Sequence, residues 1–153
     1  MNYETILRII NVPVLIAWAS MIFAPRWRVT RAFVHSDAVQ LGIAIVYIAL
    51  IGPLLPGVLG QFDTLEHISQ AFTQPRLVLA GWIHYLAFDL LVGRVVLADA
   101  QRRGIRHLLV VPCLLLTFLL GPIGYLLYAV IRAAQGRLLP AVAPLPGPRS
   151  VTC

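Results

Sequence analysis

The sequence predicts an all-α protein, an integral membrane four-helix bundle. Apolar residues make up 59% of the 153-residue chain and charged residues only 12%, whereas soluble domains carry about 25% charged residues. A helix needs about 20 mostly apolar residues to cross a bilayer, and four apolar runs have about this length. We place the four helices at residues 6–23, 38–59, 77–98 and 108–131.

The joints between the runs carry residues that end helices at a membrane surface. Residues 24–28 place a proline, two arginines and a tryptophan directly after the first run, which is typical of a helix end at the lipid–water interface. Asp37 is positioned to cap the second helix. The segment at about 64–73 is amphipathic and predicts a short interfacial helix. Residues 99–106 form a charged turn before the fourth run.

The four helices are expected to form one domain, residues 1–134, followed by a disordered Pro-rich tail at 135–153. The N-terminus lacks the features of a signal or transit peptide, so we expect a bacterial inner (cell) membrane protein.

With four spans, the loop arginines divide six to five between the two sides of the membrane, which favours both termini outside the cytoplasm. The two sets are Arg26, Arg28, Arg31, Arg102, Arg103 and Arg106 against Arg8, Arg76, Arg132, Arg137 and Arg149.

The net charge of +6 does not predict a nucleic-acid partner, because the arginines lie at the ends of apolar runs. Membrane lipid is the expected partner. No multiple-histidine cluster, phosphate loop or dinucleotide fingerprint is present, so we predict neither a metal nor a cofactor. Cys113 and Cys153 do not form a disulfide framework.

The third run carries the residues best suited to chemistry. Asp89 lies about 2 Å and His84 about 5 Å from the predicted midplane, on opposite sides of it. A charged side chain at this depth costs roughly 2.5–3.5 kcal/mol and needs a partner, and Tyr85 is one turn before Asp89. Two interpretations stay open: an acid or base in a cavity, with His84, Asp89 and Tyr85 as candidate catalytic residues, or a polar contact that locks the bundle.

Other polar or irregular positions fall at a similar depth. Asn11 lies about 5 Å from the centre of the first run. The Gly52-Pro53 and Gly121-Pro122 pairs interrupt the second and fourth runs, and such irregular backbone is tolerated where it is buried or faces a polar cavity. The candidate substrate-binding residues are Asn11, Trp82, Arg94 and Tyr125.

Two strings resemble the abscisic-acid-deficient-four-like family, the neoxanthin-synthesis membrane proteins of plants and their bacterial relatives. The first string is His84-Tyr85-Leu86-Ala87-Phe88-Asp89-Leu90-Leu91-Val92-Gly93-Arg94 with Asp99 further on, and the second runs from Val111-Pro112-Cys113-Leu114 through Thr117-Phe118 to Gly121-Pro122-Ile123-Gly124. The resemblance covers roughly residues 4–134. It implies isomerisation of a carotenoid epoxide to an allene and an alcohol, without a redox cofactor. That chemistry requires an acid and a base, and His84 and Asp89 would flank the substrate.

Three functions remain in competition. The first is an isomerase that acts on a carotenoid or related isoprenoid ligand. The second is a non-catalytic membrane protein that binds a lipid or pigment, or that assists the assembly of a partner. The third is a small proton-linked transporter in which Asp89 and His84 form a relay; four short helices would then require a homo-oligomer.

Overall fold

The computed structural model describes residues 2–58, 60 and 62–135, which fold into helices and turns without a strand. The predicted tail at 135–153 lies outside these residues except for Gln135. The elements are α1 Tyr3–Phe23, α2 Arg28–His35, α3 Ala38–Ile51, a 3-10 turn Gly52–Leu54, α4 Leu55–Val58, α5 Leu65–Ala71, α6 Pro75–Arg102, α7 His107–Leu120 and α8 Pro122–Ala134. The short α5 lies where an interfacial helix was predicted, and α2 replaces an expected loop.

Three helical stretches are long and apolar enough to cross a membrane. They are Tyr3–Phe23, Ala38–Gly57 and Pro75–Arg102, with mean hydropathies of 2.0, 2.2 and 1.4. α6 is the central element, because α1, α3 and α7 all pack against it. Large apolar side chains remain exposed on the outer faces, such as Ile16 at 60% and Ile45 at 67%. An outer surface of exposed apolar side chains is consistent with a membrane protein whose solvent is lipid.

The end of the α3 span shows how a proline is accommodated. Pro53 has no N–H group and so leaves the carbonyl of Ala49, four residues earlier, without its helical donor. Arg76 of α6 supplies donors instead: its Nε donates to the Leu50 carbonyl at 2.9 Å and an Nη to the Ala49 carbonyl at 3.3 Å. The arginine therefore links α6 to the irregular turn.

The predicted single helix at 108–131 is corrected, because the structure divides it into α7 and α8. Gly121, between them, has a φ of +49°, in a region that favours glycine. A Cβ atom at Gly124 would collide with the backbones of Thr117 and Cys113, whereas in one continuous helix those residues lie about 10 and 16 Å away. α7 and α8 therefore fold back on each other as a close helical hairpin, with its tip at Gly121.

Two tyrosine hydroxyls fix the hairpin on α6. Near the tip, Tyr85 donates to the Phe118 carbonyl at 3.1 Å. Near the open end, Tyr128 donates to an Asp99 carboxylate oxygen at 2.6 Å, and an Arg132 nitrogen lies 3.8 Å from the same oxygen. α8 thus returns to the end of the bundle at which α7 begins.

The described chain consequently starts and finishes at opposite ends of the bundle, whereas four crossing helices would have placed both of its ends at one end of the bundle. Arg132 of α8 lies with the C-terminus of α6, whereas Tyr3 lies with its N-terminus. The arginine distribution changes with it. The arginine-rich end carries Arg26, Arg28, Arg31, Arg102, Arg103, Arg106 and Arg132, and the other end carries Arg8 and Arg76.

Candidate functional site

An apolar cavity of about 230 Å³ lies between α1, α6 and the hairpin. Aromatic side chains form much of its wall, and the rings of Trp82 and Tyr85 are 5.6 Å apart. Its lining residues are Asn11, Val14, Leu15, Trp82, Tyr85, Leu86, Phe118 and Leu119. We call it the inner cavity.

A second cavity of about 500 Å³ continues along α1 and α6 toward the N-terminal end of both helices. It shares Asn11 and Trp82 with the inner cavity. The Trp82 indole Nε1 donates to Asn11 Oδ1 at 3.2 Å, which places this hydrogen bond at the junction. The two cavities together are called the groove, and two of the predicted substrate-binding residues lie at its middle.

Tyr85 connects the groove to the hairpin tip. Its ring lines the inner cavity, while its hydroxyl donates to the Phe118 carbonyl. That carbonyl is among the last four of α7, which ends at Leu120, so it has no donor within the helix. Pro122, four residues later, has no N–H group that could serve it. Tyr85 therefore satisfies a backbone acceptor that would otherwise be unpaired in an apolar environment, where an unpaired acceptor is costly.

Asp89 lies one turn beyond Tyr85, beside the tip. A Cβ atom at Gly121 would be 3.0 Å from Asp89 Oδ1, which is tighter than an ordinary contact, so the carboxylate is packed closely against this glycine. Within the described residues, Asp89 Oδ2 is buried without a hydrogen-bond partner. The first turn of α8 starts here, and its N–H groups have no acceptors inside the helix. The positive end of the α8 dipole thus faces an acidic side chain.

His84 occupies a different face of α6. Its ring is exposed and lies 5.6 Å from the Tyr47 ring and 4.6 Å from the Phe88 ring. Five residues on an α-helix correspond to about 140° of rotation, so His84 points toward α3 while Asp89 points toward the hairpin. The structure therefore brings Tyr85 and Asp89 together but does not place His84 and Asp89 around one substrate.

Arg94 and Tyr125 lie away from the groove. An Arg94 Nη donates to Asp37 Oδ1 at 3.1 Å, which joins α6 to the start of α3. Tyr125 is on the outer side of α8 and is 42% exposed. Neither residue lines the inner cavity or the second cavity of the groove. Two of the four predicted substrate-binding residues are thus placed elsewhere by the structure.

Phe118 is the site residue that the sequence analysis missed. It supplies a ring to the inner cavity and a backbone carbonyl to Tyr85. The available signal was the spacing to Pro122, because a proline in an apolar run frees the carbonyl four residues earlier. A tyrosine at similar depth on a neighbouring helix was the natural donor.

A second polar cluster lies at the arginine-rich end. Arg103 Nε donates to both Asp99 carboxylate oxygens at 2.9 Å, and Tyr128 adds its hydroxyl. These contacts satisfy Asp99 and hold the open end of the hairpin against α6. Across the part of the chain that the structure describes, no group of three or more His, Cys, Asp or Glu residues is arranged to hold a metal ion.

The fold and site define a helical protein with the composition of a membrane protein and a groove lined by aromatic and apolar side chains. A family model described as ABA DEFICIENT 4-like matches residues 5–128, more than half of the chain. The chain therefore belongs to the ABA DEFICIENT 4-like family. Comparisons with curated proteins and with solved structures gave no match.

Proposed function

We propose that the protein is a cofactor-independent isomerase that acts on a carotenoid or related isoprenoid held in the groove. One observation carries the proposal. The phenol ring of Tyr85 forms part of the apolar wall of the inner cavity. The Asp89 carboxylate lies next to the Tyr85 side chain, one helical turn further along α6. A titratable pair at the inner end of a lipid-accessible groove suits proton transfer to and from an apolar substrate.

The groove fits the chemistry of an elongated polyene. Its inner wall presents the rings of Trp82, Tyr85 and Phe118, and aromatic faces pack well against flat conjugated chains. Asn11 offers an amide at the midpoint, where it can hydrogen-bond a hydroxyl or epoxide oxygen. Two connected cavities allow an end group to sit inside while the remaining chain stays in lipid.

The proposed reaction conserves protons and electrons. Tyr85 gives its hydroxyl proton to the epoxide oxygen as the carbon–oxygen bond breaks, and that electron pair remains on oxygen. The resulting cation spreads over the conjugated chain and is stabilised by the nearby Asp89 carboxylate. A substrate carbon then returns a proton to the Tyr85 phenolate, and the electrons of the broken C–H bond complete the allene.

The test is conversion of a 5,6-epoxycarotenoid, violaxanthin, by the purified full chain in liposomes, followed by chromatography of the pigments. Tyr85→Phe removes the acid, so the rate should fall by about 10²–10⁴-fold. Tyr128→Phe is the matched control, because it also removes a tyrosine hydroxyl that fixes the hairpin but lies outside the groove. Wild type without any allenic product, or Tyr85→Phe as active as Tyr128→Phe, would refute the proposal.

A non-catalytic pigment- or lipid-binding function is the second candidate. It is favoured by the fact that the Tyr85 hydroxyl already serves a structural role at the Phe118 carbonyl. Asp89, moreover, does not itself line the inner cavity. If the wild-type chain retains the carotenoid stoichiometrically and leaves it unchanged, this second function replaces the first.

A further inference from the structure

A third cavity, of about 420 Å³, opens at the arginine-rich end between the turn after α1, the start of α2, α6 and α7, away from the groove. Its wall combines four polar side chains, two arginines, a histidine and a glutamine, with an apolar floor. The lining residues are Pro25, Arg26, Arg31, Leu97, Ala100, Gln101, Gly104, Ile105, His107 and Val110. No carboxylate contributes to this wall.

The guanidinium groups of this cavity are available to a ligand. Arg26 and Arg31 are exposed, and in residues 2–58, 60 and 62–135 neither forms an ion pair. The Gln101 side chain donates to the Pro25 carbonyl at 3.1 Å, which fixes the turn that carries Arg26. Asp99, two residues before Gln101 on α6, is occupied by Arg103 and Tyr128.

His107 adds a third feature that favours an anion. Its Nε2 is 2.8 Å from the Ile22 carbonyl, and since a carbonyl only accepts, Nε2 must carry the proton. His107 is also the first residue of α7, a 14-residue helix. The N–H groups of a helix's first turn lack internal partners and favour anions. Two free guanidinium groups and a helix N-terminus therefore converge on one partly apolar cavity.

We propose that this cavity binds a phosphate-type anion, with the headgroup of an anionic phospholipid as its natural source. The positive charge of the two arginines attracts the anion, and their forks also match phosphate oxygens. The floor of Leu97, Ala100, Ile105 and Val110 suits the first carbons of the lipid chains. Basic pockets at the end of a membrane helix bundle bind such headgroups on the cytoplasmic leaflet. A free phosphate shares the same chemistry and is distinguished below.

Native mass spectrometry of the full chain tests the site with phosphatidylglycerol and, as the zwitterionic comparison, phosphatidylcholine. Wild type should retain phosphatidylglycerol preferentially, and the double variant Arg26→Gln/Arg31→Gln should bind it at least tenfold more weakly. Arg28→Gln/Arg102→Gln is the matched control, because it removes two exposed arginines from the same end that do not line the cavity. Its affinity should stay within about twofold of wild type.

A second arm replaces lipid with inorganic phosphate and follows thermal stability in detergent. If phosphate stabilises wild type and only Arg26→Gln/Arg31→Gln loses this stabilisation, the anion site is supported. If, in addition, the protein does not prefer phosphatidylglycerol over phosphatidylcholine, the natural anion is a soluble one. Arg26→Lys/Arg31→Lys keeps the charge and should keep most binding, which excludes misfolding as the cause of the loss. Equal losses in both double Gln variants, or no loss in either arm, would overturn the proposal.

Discussion

At the scale of single residues, Tyr85 and Asp89 combine structural roles with the chemical roles proposed for them. The tip of a hairpin places irregular backbone in an apolar environment, where every polar group needs a partner. Tyr85 serves the Phe118 carbonyl, and Asp89 faces the first turn of α8. The same two side chains are the titratable groups nearest the inner cavity. Substitutions must therefore separate stability from function.

We expect Asp89→Asn to fold like wild type and yet lose isomerase activity. Asn keeps the shape and an acceptor beside Gly121 and adds donors, and polar contacts between membrane helices average only about 0.6 kcal/mol. The amide cannot stabilise a developing positive charge as a carboxylate does. The measurement pairs thermal stability in detergent with pigment conversion. A stable Asp89→Asn protein with full activity would remove Asp89 from the mechanism.

Gly93 illustrates a residue kept small by packing. A Cβ atom there would be 2.5 Å from Cη2 of Trp18, which is 2% exposed and lies 5.4 Å from the Phe118 ring. We expect Gly93→Ala to cost about 1–3 kcal/mol, the usual cost of overpacking a core. Gly42→Ala is the control, because nothing lies within 4 Å of its Cβ position. Similar melting temperatures for the two variants would contradict this role of Gly93.

At the scale of elements, prolines decide where other residues are needed. Pro53 and Pro122 each free a carbonyl, and in both cases α6 provides the donor, through Arg76 and Tyr85. α6, a helix of 28 residues, thus stabilises both irregular segments.

We expect Arg76→Met to destabilise the protein by about 1.5–3 kcal/mol, because a charge-assisted donor is removed from two backbone carbonyls. Arg102→Met, at the exposed C-terminal end of the same helix, is the control and should change stability by less than about 0.5 kcal/mol. Chemical unfolding in detergent gives both values. If Arg76→Met is as stable as the control, the carbonyls of Ala49 and Leu50 do not depend on Arg76.

The sequence was sufficient for the helical class, the positions of the first three apolar runs and the importance of the α6 string. It was insufficient for α7 and α8. An apolar run of 24 residues with one Gly-Pro pair is equally compatible with a kinked helix and with a hairpin, and only the packing of Gly124 on Thr117 and Cys113 separates them. The spacing of His84 and Asp89 alone, about 140° apart on a helix, disfavours a direct contact between them. For Asn11 and Trp82, the sequence could predict only a similar depth in the membrane. It could not predict that the two side chains meet at one groove.

At the scale of the whole molecule, the hairpin changes the topology. Helices of 14 and 13 residues are about 21 and 20 Å long, which is too short for a hydrocarbon core of about 30 Å. α7 and α8 would thus enter the membrane and return to the same side. The arginine-rich end would then face the cytoplasm, since loop arginines favour that side.

We therefore expect topology reporters fused after Arg103 and after Ala134 to report the same, cytoplasmic compartment. A reporter fused ahead of Tyr3 should report the opposite side. The measurement uses paired reporters that are each active in only one compartment. Opposite signals after Arg103 and Ala134 would mean that residues 108–131 cross as one helix, as the sequence alone had suggested.

The groove between α1, α6 and the hairpin is the proposed ligand site. A pair of adjacent substitutions on α1 tests most directly whether the ligand lies there. Leu15 lines the inner cavity, whereas Ile16 does not line either cavity and is 60% exposed. Leu15→Trp should fill the cavity of about 230 Å³, and Ile16→Trp adds the same ring toward lipid. The measurement is carotenoid retained per mole of purified protein. We expect Leu15→Trp to lose the pigment at unchanged thermal stability and Ile16→Trp to keep it; equal retention by both variants would show that the ligand does not occupy this groove.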